Sequence, residues 1–354
     1  MKLPLLTPRK IILGTAALFL ALIFADYIFW SLAAGQYRRA LDGWIEEGRA
    51  EGFQISFDEQ KIFGFPSHIT MRFVNPHSQS ADGISFRTDS MDITASTWNW
   101  SNFSVKFKNH VQITAPLDDA GHALTLACEN GEAHIKLDSQ AFWRQADLSL
   151  SNSTIGLAPD YLFQAGSLSA SVARPALEPK DHTEAGLTIT GEADNIITPD
   201  AMPTPFGKNA KKLSAHLRVM GPIPDVRRRD SVDTWNKASG IVEFDDFSAQ
   251  WGVLELASKG TLGFDDDLQP EGAFIGNIGN PAQTMRALID HNFITMHDQG
   301  MLSSVMSLFA KPSVGKEKGM EFPITIQLGG LFLGPIRIFT FPSIEWPKEP
   351  PAVK

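Results

Sequence analysis

The chain predicts a mainly β fold: an N-terminal transmembrane helix, then a long, curved, groove-like antiparallel β-sheet with two helices near the C-terminus. Three observations carry this. Residues 11–30 are one apolar run, short alternating stretches fill the chain from 53 to 280, and helical spacing returns only within 280–310. The units read as 1–35 (membrane anchor), 36–52 (amphipathic helix) and 53–354 (sheet domain with the helical insertion at 280–310).

The run IILGTAALFLALIFADYIFW, Ile11–Trp30, rises about 30 Å as a helix, the thickness of a bilayer's hydrocarbon core. Its one charge, Asp26, lies toward the far end, and Tyr27 and Trp30 are residue types that mark a membrane–water interface. Lys2, Arg9 and Lys10 precede the run, whereas Arg38 and Arg39 after it are joined by Asp42, Glu46 and Glu47. The slight basic bias places the N-terminus in the cytoplasm.

A cleavable signal peptide is the rival reading, because Ser31-Leu32-Ala33 resembles a small-residue cleavage site. The run is long for a signal peptide and bulky up to that site, which favours an uncleaved single-pass anchor in the inner membrane. Either way the chain from residue 36 lies outside the cytoplasm, which in a bacterium with two membranes is the periplasm. Residues 36–52, QYRRALDGWIEEGRAEG, place Tyr37, Ala40, Leu41, Trp44 and Ile45 on one helical face.

From Phe53 the pattern is that of strands: FQISF (53–57), HITMRFV (68–74), ISFRT (84–88), FSVKFK (103–108) and HVQITA (110–115). HALTLAC (122–128), AHIKL (133–137), DLSLSNSTIGL (147–157), SLSASVA (167–173), GLTITGEA (186–193) and LSAHLRVM (213–220) continue it. Such spacing predicts a meander, with turns at Gly64-Phe65-Pro66, Asp118–Gly121 and Glu129-Asn130-Gly131. Residues 174–186, 198–212 and 221–233 hold prolines and read as loops. Arg227, Arg228 and Arg229 in the last have the chemistry to grip an anionic headgroup, against the simpler reading of a solvated loop.

Leu254, Leu256, Leu262 and Phe264 share one parity, with Glu255, Lys259 and Thr261 on the other. Asp265, Asp266 and Asp267 follow. As an EF-hand loop starting at Asp265 this stretch fails at Pro270 and Gly276, so the aspartates read as a hydrated turn. Asn280 before Pro281 is a helix start, with Met285, Leu288 and Ile289 on one face; Leu302, Val305, Met306 and Phe309 suggest a second helix. Alternation resumes at Phe322, Ile324, Ile326 and Leu328, and Gly329-Gly330 permits a tight hairpin. The two helices are placed to plug one end of an open sheet.

The 354 residues are 43% hydrophobic and 20% charged, as in folded chains, and the net charge of −9 argues against nucleic acid as a partner. One cysteine, Cys128, excludes an internal disulfide, and its phase with Leu124 and Leu126 makes it a buried small hydrophobe. With 24 Phe against 3 Tyr, most rings carry no hydroxyl, which suits either a dry core or a greasy channel. Walker, dinucleotide, HExxH and G-x-S-x-G patterns are absent from the sequence. His291, His297 and Asp298 come nearest to a site but match no ligand spacing. The expectation is no enzyme, no cofactor and no resident metal. The candidate lining of an apolar groove is Trp98, Trp100, Phe103, Leu254, Leu256, Leu262, Phe264, Phe322, Ile324 and Ile326.

The apolar N-terminal span, the Gly64–Pro66 step, FDDFSAQWGVLELASKGTLGFDDDLQPEGAF (244–274), the helical pair and LGGLFLGPI (328–336) resemble the alphaproteobacterial domain-of-unknown-function family 2125. That family has no assigned activity to carry over. The terminal pattern is similar to that of AsmA-like envelope proteins, which implies a long, inwardly apolar β-groove that handles lipids; a shared fold does not fix function. Two functions follow as expectations: a membrane-anchored periplasmic protein whose apolar groove binds or moves lipids in envelope homeostasis, or a non-catalytic scaffold recruiting other envelope proteins. The expected partners are membrane lipids and other envelope proteins.

Overall fold

The computed structural model describes residues 8–117, 122–140, 142–157, 161–202, 204–225, 228–293, 311–312, 320–344 and 346. Helix α1 runs from Pro8 to Ala50 without a break. The expected anchor and the expected 36–52 helix are therefore one rod. Ser31, Leu32, Ala33 and Ala34 tolerate a helix, and Gly35 inside it costs only about 1 kcal/mol relative to alanine.

The strands are β1 (Gln54–Ser56), β2 (Glu59–Phe63), β3 (His68–Val74), β4 (His77–Gln79), β5 (Ser85–Arg87), β6 (Ser90–Ser96), β7 (Asn102–Pro116), β8 (Ala123–Leu137), β9 (Trp143–Leu157), β10 (Leu162–Ala173), β11 (Ala185–Ile197) and β12 (Asn209–Met220). After helix α2 (Arg229–Lys237) come β13 (Val242–Trp251), β14 (Leu254–Phe264), β15 (Pro270–Ile278), helix α3 (Pro281–Asp290), β16 (Lys311–Pro312), β17 (Met320–Gln327), β18 (Gly330–Leu333) and β19 (Ile336–Thr340). All pairings are antiparallel. The row runs β2, β3, β6, β7, then strand by strand to β15, then β17, β18 and β19. β1, β4 and β5 join it at the far half of β7. The sheet does not close on itself, so the row has two ends.

Helices close both ends. Ala33, Ala34, Tyr37 and Ile45 of α1 form one core with Ile69, Met71, Phe73, Ile93 and Val105. At the other end Met285 and Leu288 of α3 pack with Ile278, Phe322, Leu333 and Ile336. One helix thus plugs the far end as the apolar spacing suggested; the second, at Leu302–Phe309, lies outside the described residues, as do the turn at 118–121 and Arg227.

Several boundaries differ from the sequence reading. FSVKFK and HVQITA are one strand, β7, and HALTLAC and AHIKL are one strand, β8, so Glu129-Asn130-Gly131 is not a turn. The physical reason is a crease crossing the sheet. Asn109 and His110 in β7, Asn152 in β9 and Asn195 in β11 adopt left-handed φ values of 58°, 46°, 50° and 52°, a conformation asparagine tolerates better than most residues. The register sets Cys128 and Glu129 of β8, Gly166 of β10 and Lys211 of β12 beside them. Side-chain parity turns over at this line. In β9, Leu148 and Leu150 face the same side as Ile155, and in β10 Leu168 packs with Ala165.

The segment 221–233, read as a loop, contains the start of α2, whose Val232 and Trp235 are buried. The Trp235 indole N–H donates to the Met220 carbonyl at 2.9 Å. Arg228 is engaged by Asp230, at 3.1 and 2.5 Å. The aspartate run is a turn as expected: Asp265 accepts the backbone N–H groups of Asp267 (3.0 Å) and Gln269 (2.8 Å) through Oδ1. The tight hairpin near residue 330 turns on Leu328 and Gly329, both at positive φ.

Candidate functional site

Period-two alternation sends every second residue of each strand to one face, and register decides whether those residues line up. Here they do. Leu148, Ala170, Gly191, Ala215 and Phe247 stand opposite one another across β9 to β13, and beside them run Leu150, Leu168, Ala193, Leu213 and Ala249. The first row continues through Ala133, Val105, Ile93 and Met71 at one end and Ser258, Gly276 and Phe322 at the other. One apolar face therefore extends from β3 to β17.

The opposite face is polar. Arg72, Asp92, Lys106, Glu132, Ser149, Ser169 and Glu192 line up there strand by strand. Arg72 holds Asp92 through two hydrogen bonds of 2.6 and 2.7 Å, Lys212 pairs with Glu192 at 2.6 Å, and Arg218 pairs with Asp245. The guanidinium of Arg72 keeps the Asp92 carboxyl below the usual carboxylate range, against the opposing effect of its burial.

Among the described residues, the helices that join the apolar face's cores are α1 at one end and α3 at the other. Between them a cavity of about 420 Å³ touches six successive strands, from Leu126 of β8 to Phe247 of β13, with Leu148, Leu150, Leu168 and Leu213 among its lining. Leu126 and Ile155 reach it from one side of the crease and Leu148 and Leu168 from the other, so the cavity spans that line. Six strands at about 4.8 Å spacing give a trough about 24 Å long.

The sequence-derived lining residues fall into three groups. Phe103 lies on the apolar face where α1 covers it. Leu254, Leu256, Leu262, Phe264, Phe322, Ile324 and Ile326 lie on the same face toward β19, but Leu254, Leu256, Phe322 and Ile324 belong to the α3 core and Phe264 packs against Trp235 and Trp346. Trp100 packs on Tyr37, and Trp98 stacks on Phe29 of the apolar helix, away from the trough. The trough's own apolar lining is mostly Leu, Ala and Gly, with Ile155 and Phe247; in β9 and β10 the intervening residues are largely serine, a signal visible in DLSLSN and SLSASVA.

A larger cavity, about 970 Å³, is on the polar side of the crease and carries no catalytic arrangement among its described residues. His110 lies 3.0 Å from Asp89, both open to water; Arg87 is spent on Gln112, and Asn152 on Glu129. Burial raises the Cys128 thiol above its ordinary range, which leaves little thiolate for chemistry. No group of three His, Cys, Asp or Glu positioned for a metal occurs among the described residues. His291 caps the end of α3, and His297 and Asp298 lie outside the described residues.

No curated protein and no solved structure matches this chain. The similarity to AsmA-like proteins has no counterpart among these matches. The model of one bacterial family, described as uncharacterized proteins conserved in bacteria (DUF2125), covers residues 30–342, from the end of the apolar helix to the last strand. The chain belongs to the DUF2125 family.

Proposed function

We propose that this protein is a single-pass inner-membrane protein, N-terminus in the cytoplasm and sheet in the periplasm, whose trough holds the acyl chains of membrane lipids. The observation that supports it is the apolar stretch from β8 to β13, which no described helix covers. A folded chain rarely leaves a large contiguous apolar patch to water, and such patches mark ligand or membrane contact. The volume is within the roughly 300–1,000 Å³ typical of ligand pockets. The length of about 24 Å exceeds the roughly 15 Å that one leaflet contributes to a bilayer core, so a whole chain fits along it. The near absence of polar groups suits a ligand with nothing to hydrogen-bond over that length.

On this reading the protein handles envelope lipids and performs no covalent step. The scaffold alternative rests on a filled interior, which the uncovered stretch does not favour. The test uses the full chain, because Ala33 and Ala34 belong to the sheet's core. Extracted in gentle detergent, the protein carries phospholipid detectable by mass spectrometry, and Ala193→Trp, which fills the trough, lowers the amount. Absence of co-extracted lipid from the wild-type chain overturns the proposal.

A further inference from the structure

Two loops close on α1 where its apolar stretch ends. The β2–β3 turn sets Phe65 with its ring 5.6 Å from Tyr27 and 6.1 Å from Trp30. The β6–β7 loop sets Trp98 4.4 Å from Phe29, the rings nearly parallel. The Trp30 indole N–H donates to the His68 carbonyl at 2.8 Å, which ties this point of the helix to the start of β3. Three turns farther on, Asp42 accepts from Gln60 at 3.2 Å, opposite Phe73 near the end of β3. Helix and strand therefore run side by side, and both loops sit at the end of the sheet that faces the apolar stretch.

Depth follows from length. A helix from Ile11 to Trp30 spans about 30 Å, so its last turn, Tyr27 to Trp30, lies at the membrane–water interface, and rings stacked on that turn lie at the same level. Both rings are open: Trp98 is 71% exposed and Phe65 39%. The segments that carry them, GFPS and TWNW, hold no charge. The shape that presents Phe65 is fixed by Gly64, at φ 119°, where an added Cβ would meet the His68 carbonyl oxygen at 2.6 Å. Leu137 donates its N–H to Ser101, and the loop that follows offers Phe142, 61% exposed, beside them. Exposed aromatics left in water forfeit the gain of apolar contact, whereas the bilayer interface is where such rings are enriched.

We infer that Phe65 and Trp98 form an aromatic rim that enters the bilayer interface beside α1 and holds the sheet at a fixed height and tilt on the membrane. This rests on α1 being a bilayer span. The partner is the lipid interface itself, not a protein.

The full chain, carrying Cys128→Ala, is labelled with an environment-sensitive dye at Leu18→Cys, Phe65→Cys, Trp98→Cys or Ser149→Cys and placed in phosphatidylethanolamine–phosphatidylglycerol vesicles. Lipids brominated high on the acyl chain quench the dye at 65 and 98 and leave 149 bright, while lipids brominated near the chain end quench the dye at 18. Quenching at 18 without quenching at 65 and 98 overturns the rim and leaves the span intact; no quenching at 18 removes the span and the rim with it. Trp98→Phe gives a label-free check. It removes part of the tryptophan emission that brominated lipid quenches, and an unchanged quenchable emission contradicts the rim.

Discussion

Asn195, at φ 52°, stands opposite Gly166 where β10 and β11 cross the crease, and a Cβ on Gly166 would lie 3.2 Å from the Asn195 Cβ. A β-branched residue cannot hold that backbone cheaply. Asn195→Val is expected to cost about 1–2 kcal/mol, whereas Asn195→Gly is near neutral because glycine takes left-handed φ freely. Thermal unfolding of the detergent-solubilised chain separates the two; equal effects argue against the crease as a backbone-imposed feature.

The crease also explains what could and could not be read from the sequence. The twenty residues before Ser31 announce a span by length alone, and Leu254 to Phe264 announce a strand by strict alternation. In β8, Leu124, Leu126 and Cys128 are out of phase with Gly131, Ala133 and Ile135, so one strand looks like two with a turn between. Helix α2 has only Val232 and Trp235 for an apolar face and lies among arginines and aspartates, which conceals it. Large apolar side chains concentrate at the helix-covered ends of the face, whereas the middle mixes leucines with the smaller Ala170, Gly191, Ala193 and Ala215, so the sequence points to the ends.

Covered and uncovered parts of the face should respond differently to truncation. Phe322 is 1% exposed beneath α3, and Phe322→Ala is expected to cost about 3–5 kcal/mol through lost burial and a cavity. Leu213, in the open trough, should cost about 1 kcal/mol as Leu213→Ala, since less burial is lost. Melting temperatures of the two variants in lipid-free detergent measure the difference, and equal losses would mean that the trough is filled.

The Asp92 carboxylate is buried on the polar face, with Arg72 donating two hydrogen bonds and Lys108 3.4 Å away. Its pKa is lowered in the folded state, chiefly by Arg72. Its stabilising contribution is therefore complete above the unfolded value of about 3.9 and is lost as pH falls through the lower folded value. Asp92→Asn should cost about 1–2 kcal/mol at neutral pH, less than a fully buried charged pair because Arg72 is partly open to water. It should also flatten the loss of stability below about pH 4. A variant with the wild-type acid profile would count against this pair.

Leu148 and Ser149 are neighbours in β9 that point to opposite faces, one into the trough and one to water. A photoreactive benzophenone side chain placed at either position in the full chain, in native membranes, asks directly whether lipid occupies the trough. A lipid adduct is expected from position 148 and none from 149, with position 18 in the apolar helix as the positive control. Adducts from 18 but none from 148, or equal yields from 148 and 149, would contradict it.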